Sequence, residues 1–196
     1  MMLTERAAVP ASALPVGALI DHLRLGTGFE EEARSDALAE GYLRRAIAAV
    51  ERRTGKALLT REFALTLSRW RDAAAEPLPL APVGRVISVT MTDRTGRESA
   101  VAESRWRLIR DLQRPRLAAT GAALPAVPPG GGVEVVFEAG FGGWAQVPGD
   151  LAQAVLLLAA QYHELREERE TGRPMPFGVE ALLQPWRTVR LLGGAR

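Results

Sequence analysis

"FEAGFGGWAQVPGDLAQAVLLL", residues 137–158, leaves an apolar strand, crosses a glycine-rich turn and enters an apolar helix. Its Gly140, Gly142 and Ala145 fit the spacing G-x-G-x-x-A of a dinucleotide-binding turn. That turn works only if the helix opens at the second glycine, so that its free N–H groups face a pyrophosphate. A parallel strand with an acid near its end must then follow the helix. Here Pro148 suits the first helical position and Asp150 the positively polarised first turn, which places the helix start well past Gly142. The following "TGRPMPFG" at 171–178 cannot be a buried parallel strand. The stretch therefore reads as a tight bend from strand to helix, with Phe141 and Trp144 covering the core. A nucleotide-binding enzyme built on the Gly140–Ala145 turn is the alternative.

Outward from this bend the chain changes texture twice. Downstream, Leu151, Ala154, Val155, Leu158, Tyr162 and Leu165 form one stripe of a helix predicted over 149–170. Residues 154–160 are apolar nearly all round, more than one small unit can cover, so Leu157 is expected to pack against a neighbouring subunit. Upstream, 57–144 loses the helical period. Alternating or β-branched runs, "REFALTLSRW", "RVISVTMTD", "SRWRLIR" and "VEVVFEAG", are separated by proline- and glycine-rich turns. Before that lie two predicted antiparallel helices, near 16–25 and 30–54, joined by "GTG" at 26–28. Leu38, Tyr42, Leu43, Ala46, Ile47 and Val50 mark the buried face of the second. Arg52 and Arg53 suit its C-terminal dipole, Gly55 its left-handed cap, and Gly41 a close approach by a neighbour. The predicted class is α+β: a three-helix unit, 14–56 and 145–184, with a β-rich insertion at 57–144. A flexible N-terminus, 1–13, and a C-terminal tail, 185–196, flank it.

Composition narrows the chemistry. The 196 residues contain no cysteine and two histidines, His22 and His163, which rules out thiol catalysis and disulfides and disfavours the usual zinc sites. Each histidine sits on a predicted helix next to a carboxylate, Asp21 or Glu164, but adjacent helical residues point apart, so both read as surface or interface groups. The net charge is +2, and acids and bases balance eight to eight over 1–56, nine to eleven over 57–144 and six to six over 145–196. No segment is then a basic arm for nonspecific DNA binding. The densest basic run, "RWRLIRDLQRPR", would place Arg105 and Arg107 on one solvated strand face. A DNA-binding regulator using the helical pair at 16–54 is the other alternative. No apolar run is long enough for a membrane span and no signal core stands out, which predicts a soluble protein made in the bacterial cytoplasm. No cofactor or metal site is predicted.

The order of the pieces resembles the head-tail connector, or adaptor, proteins of long-tailed double-stranded DNA phages and of phage-like gene transfer agents. The resemblance spans about 14–190 and rests on "LIDHLRL", "AIAAVERRTGKAL", "LPLAPVGRVISV", "VFEAGFG", "VPGDLAQAVLLLAAQYHELRE" and "PFGVEALLQPWR". Within these, Glu51, Thr54 and Gly55 close the second helix and Ala139, Gly140 and Gly142 form the turn. Pro148, Leu151 and Ala154 open the third helix, Tyr162 and Arg166 lie near its end, and Leu183, Pro185 and Arg187 belong to the tail. The long β segment departs from the shortest, all-helical members and suits the longer ones.

The resemblance implies a noncatalytic virion protein at the head-tail junction. Twelve subunits would ring the underside of the portal, extend the DNA channel without sequence-specific contact, and offer a platform to a tail-side connector or terminator protein. It also gives a role to the tail, in which Trp186, Arg187, Val189, Arg190, Leu191 and Leu192 would dock on the portal. The alternative for the same apolar end is that Trp186 folds back onto its own core.

Overall fold

The computed structural model describes residues 1–23, 29–165 and 175–187. The fold is α+β and divides into two units, one of Pro10–Leu58 with Gly143–Arg196, the other of Met1–Val9 with Leu59–Gly142.

The first unit is helical. Its helices are α1 (Val16–Leu23), α2 (Phe29–Thr54), α3 (Gly149–Glu164) and a short α4 (Phe177–Leu183). The long α2 and α3 pack together, α1 rests on both, and α4 lies mainly on α3. Leu19, Leu43, Val50, Leu151, Val155, Leu158 and Leu183 form the core between them. One expectation for α2 fails. Leu38 is 53% exposed while Ala39 is buried, because the inward stripe runs 39, 43, 46, 50 and leaves position 38 a helical step to one side. Gly41 is exposed, and an added methyl there would meet nothing within 4 Å of its own chain. The expected "GTG" turn at 26–28 and the stretch 166–170 of the third helix lie outside the described residues.

The end of α2 explains three of the family-pattern residues. Gly55 has φ +70° and donates its N–H to the Glu51 carbonyl at 2.8 Å, closing the helix in the left-handed conformation that glycine tolerates. The Thr54 hydroxyl donates to the Val50 carbonyl at 2.8 Å and accepts from the Lys56 N–H at 3.2 Å. The Glu51 carboxylate accepts the Leu58 N–H at 2.8 Å. At α3, Pro148 is the cap and not the first helical residue: its extended backbone turns the chain, and its carbonyl accepts the Ala152 N–H at 2.9 Å.

The second unit is β-rich. Strands β1 (Met2–Glu5), β2 (Arg61–Leu67), β3 (Ala75–Pro77), β4 (Val83–Thr92), β5 (Glu98–Ala100), β6 (Trp106–Ile109), β7 (Arg116–Ala119) and β8 (Gly132–Ala139) form two sheets. Five strands pair in the order β1-β2-β8-β4-β5 and three in the order β3-β7-β6, all antiparallel. The central strand β8 buries Val133, Val135, Phe137 and Ala139 on one face, and Phe137 stacks on Phe63 of β2 at 5.9 Å. On its other face Glu134 and Glu138 pair with Arg6 and Arg85.

The N-terminus is a correction. Residues 1–13, expected to be flexible, supply edge strand β1, paired from Met2↔Thr66 to Glu5↔Phe63, and a 3-10 turn at Ala11–Ala13. Backbone pairing and two ion pairs, Glu5 with Arg61 and Arg6 with Glu134, hold the strand. An edge strand needs neither apolar alternation nor length, the features by which a strand is read from sequence.

Candidate assembly interface

The glycine turn is built for close backbone packing. A methyl group on Gly140 would fall 2.4 Å from the Thr60 Cα, and Gly140 holds φ +137°. Its N–H donates to the Pro82 carbonyl at 3.0 Å, and the Gly142 carbonyl accepts the Thr60 N–H at 2.9 Å. The turn thus ties β8 to the starts of β2 and β4, and the Gly140 amide that a nucleotide reading would turn toward phosphate is already engaged. Among the described residues no three His, Cys, Asp or Glu side chains gather where they could hold a metal ion, and no helix is long and apolar enough to cross a membrane.

The helical unit offers surfaces of a different kind. On α3, Leu151, Ala154, Val155, Leu158, Ala159 and Ala160 are buried, whereas Leu156 and Leu157 are only half-buried. Farther along, His163 meets the Tyr42 ring edge-on at 5.8 Å, and the Arg45 guanidinium lies 4.5 Å over the Tyr162 ring, so these polar aromatics lock α3 to α2. His22 on α1 is exposed. Helix α4 buries Val179 and Leu183 and is clamped to α2 by Arg53 and Glu180 at 2.6 Å.

The tail begins as a 3-10 turn at Gln184–Trp186, directly after α4. Trp186 is half-buried with its indole nitrogen inside, and Arg187 is exposed. Val189, Arg190, Leu191 and Leu192 lie outside the described residues. One large exposed side chain escaped the sequence reading: Phe177 is 87% exposed. Its only signal there is a position between Pro176 and Gly178 at the head of a helix too short for a reliable period.

In the β unit Arg107 is exposed on β6 and Arg105 on the turn before it, as expected of a solvated face. Trp106 and Leu108 alternate to the opposite face, which the register shares with Leu117 of β7 and the fully buried Glu76 of β3. The Arg71 N–H donates to Glu76 Oε2 at 2.6 Å, with the Arg71 guanidinium 3.9 Å from Oε1. Burial nevertheless raises the Glu76 carboxyl above its ordinary pKa.

No family model and no curated protein matches the chain. Among the solved structures that match the chain, three do so over essentially its whole length. One chain, in the neck of an empty gene transfer agent particle computed with C6 symmetry, is 54% identical with a TM-score of 0.90, covering 100% of both chains. Another, from the virion of a native gene transfer agent particle, is 54% identical with a TM-score of 0.87, covering 99% of both. A third, in the neck of a native particle computed with C12 symmetry, is 50% identical with a TM-score of 0.86, covering 100% of both. The symmetry of those necks indicates a multimeric ring.

Proposed function

The chain belongs to the head-tail connector family found in gene transfer agent necks, and from this premise we propose that it is the ring subunit joining the filled capsid to the tail. Full-length identity of 54% with a neck chain carries the reading. Its relatives are structural components of a particle, and a structural, noncatalytic role at the head-tail junction is assigned to this chain too. In this reading twelve copies sit beneath the portal and extend the DNA channel, and the side away from the portal receives the next tail component. The near-balance of charge in every segment supports a wall past which DNA slides, since many phosphate contacts would hold it.

Two surfaces serve the assembly. Half-buried Leu157 on α3 is covered by a neighbouring copy. The tail, with Trp186, Arg187, Val189, Arg190, Leu191 and Leu192, docks on the portal, where an aromatic and an arginine are effective anchors and many weak tails on one ring bind with avidity. Electron microscopy of the protein mixed with its portal is expected to show a ring capping the portal. Portals that stay bare at saturating protein would overturn the reading. Truncation after Gln184 is expected to leave a folded, soluble chain that no longer co-sediments with portal-bearing heads. Undiminished co-sedimentation would remove the portal role from the tail.

A further inference from the structure

Among its described residues the helical unit exposes two large apolar side chains, and they stand on different helices. Phe177 opens α4 and Leu38 lies in the first half of α2. While α4 turns Val179 and Leu183 inward, its outer side presents Phe177 and Ala181, both exposed and four residues apart. The only charged side chain on α4, Glu180, is held back by Arg53 of the same chain at 2.6 Å, so the outer stripe carries no charge.

Leu38 and Phe177 cannot cover each other within one chain. Arg53 marks where α4 meets α2, and Leu38 lies fifteen residues earlier on that helix, about 22 Å along its axis. Phe177 is within one turn of Glu180. A ring closed by rotation needs this arrangement: every subunit offers two different patches at separate places, each complementary to the other on the next copy. A large exposed aromatic on one copy and an exposed leucine on the next can form such a pair.

The geometry points to Phe177 as the knob that seats against Leu38 of the adjacent copy of this chain. The assignment rests on the ring proposed above and adds to it which surfaces meet.

The test uses the full-length chain with the photoreactive p-benzoylphenylalanine in place of Phe177, supplied to particle-producing cells that lack their own copy. Irradiation of the purified particles is expected to yield a product of two 21.2 kDa chains, joined through the peptide that contains Leu38. Cross-linking to a different neck or portal protein overturns the assignment, and so does no cross-linking in particles that contain the chain. Phe177→Ser is expected to leave the thermal unfolding of the isolated chain unchanged and to lower its incorporation into particles at least about tenfold, with Phe177→Leu restoring most of it. Wild-type incorporation of Phe177→Ser overturns the assignment as well. Imaging of wild-type necks separates the two layers: the absence of any ring of this chain defeats the underlying reading, whereas a ring whose position 177 cross-links elsewhere defeats only the contact.

Discussion

A side chain at Gly140 meets two obstacles, the Thr60 backbone at 2.4 Å and a φ of +137°, whereas one at Gly55 meets only a φ of +70° and open space. The two glycines therefore predict different outcomes for the same substitution. Gly55→Ala is expected to cost about 1 kcal/mol, the penalty of a left-handed alanine. Gly140→Ala is expected to cost at least about 3 kcal/mol, because β2 must move away from β8. Urea unfolding of the two variants measures both, and equal losses would count against the backbone contact at Gly140. Glu76 gives a pH dependence. Its folded pKa is raised, so between the ordinary carboxylate value and the raised one the folded chain holds more protons than the unfolded chain. Its contribution to stability is thus fully present at low pH and is lost as pH rises through the folded pKa. Glu76→Gln is expected to flatten this part of the profile and to raise the melting temperature at neutral pH, since the amide oxygen can still accept the Arg71 N–H. Melting curves from pH 4 to 8 check it.

Along α3 two adjacent leucines separate folding from assembly. Leu158 is buried in the unit's own core, and Leu158→Ala is expected to cost about 3 kcal/mol from lost burial and the cavity left behind. Leu157 is half-buried, so Leu157→Asp is expected to leave most of the chain's own stability in place while blocking its incorporation into particles. Unfolding curves together with particle yields distinguish the two, and normal yield from Leu157→Asp would rule out a subunit contact there. The helices were legible because α2 and α3 are long enough for their period to stand out from noise. Strands β2, β4, β6 and β8 were legible through alternation or β-branching. Strands β1, β3, β5 and β7 have only three or four residues each, too few for a pattern to stand out, and β1 and β3 exist only through pairing with segments distant in sequence, Phe63–Thr66 and Arg116–Ala118.

For the molecule as a whole, the two units make separate predictions. Each end of the long β segment is secured within its own unit, since the Thr60 N–H bonds the Gly142 carbonyl at 2.9 Å and brings the two chain ends together. Excising residues 1–9 and 60–141 with a short glycine linker is expected to leave a folded helical remnant. Retained helical circular dichroism with a cooperative melt checks this, and loss of all helicity would show that the helices depend on the β unit.

Sequence by itself determined the α+β class, the places of the main helices and strands, the bend at Gly140–Gly142 and the kinship with head-tail connectors. Each depends on patterns that are local or that recur in fixed order along the chain. Only the tertiary structure decided that Met2–Glu5 is a strand, that Glu76 is buried, and that Leu38 and Phe177 face outward. The physical reason is common to all of these. Periodicity shows that a helix has an apolar side, but its rotation is set by the residues that pack against it, so position 38 can lose its place to position 39. Edge strands and buried acids are likewise defined by partners far away in sequence, Phe63–Thr66 for β1 and Leu117 for Glu76, which come near only when the chain has folded.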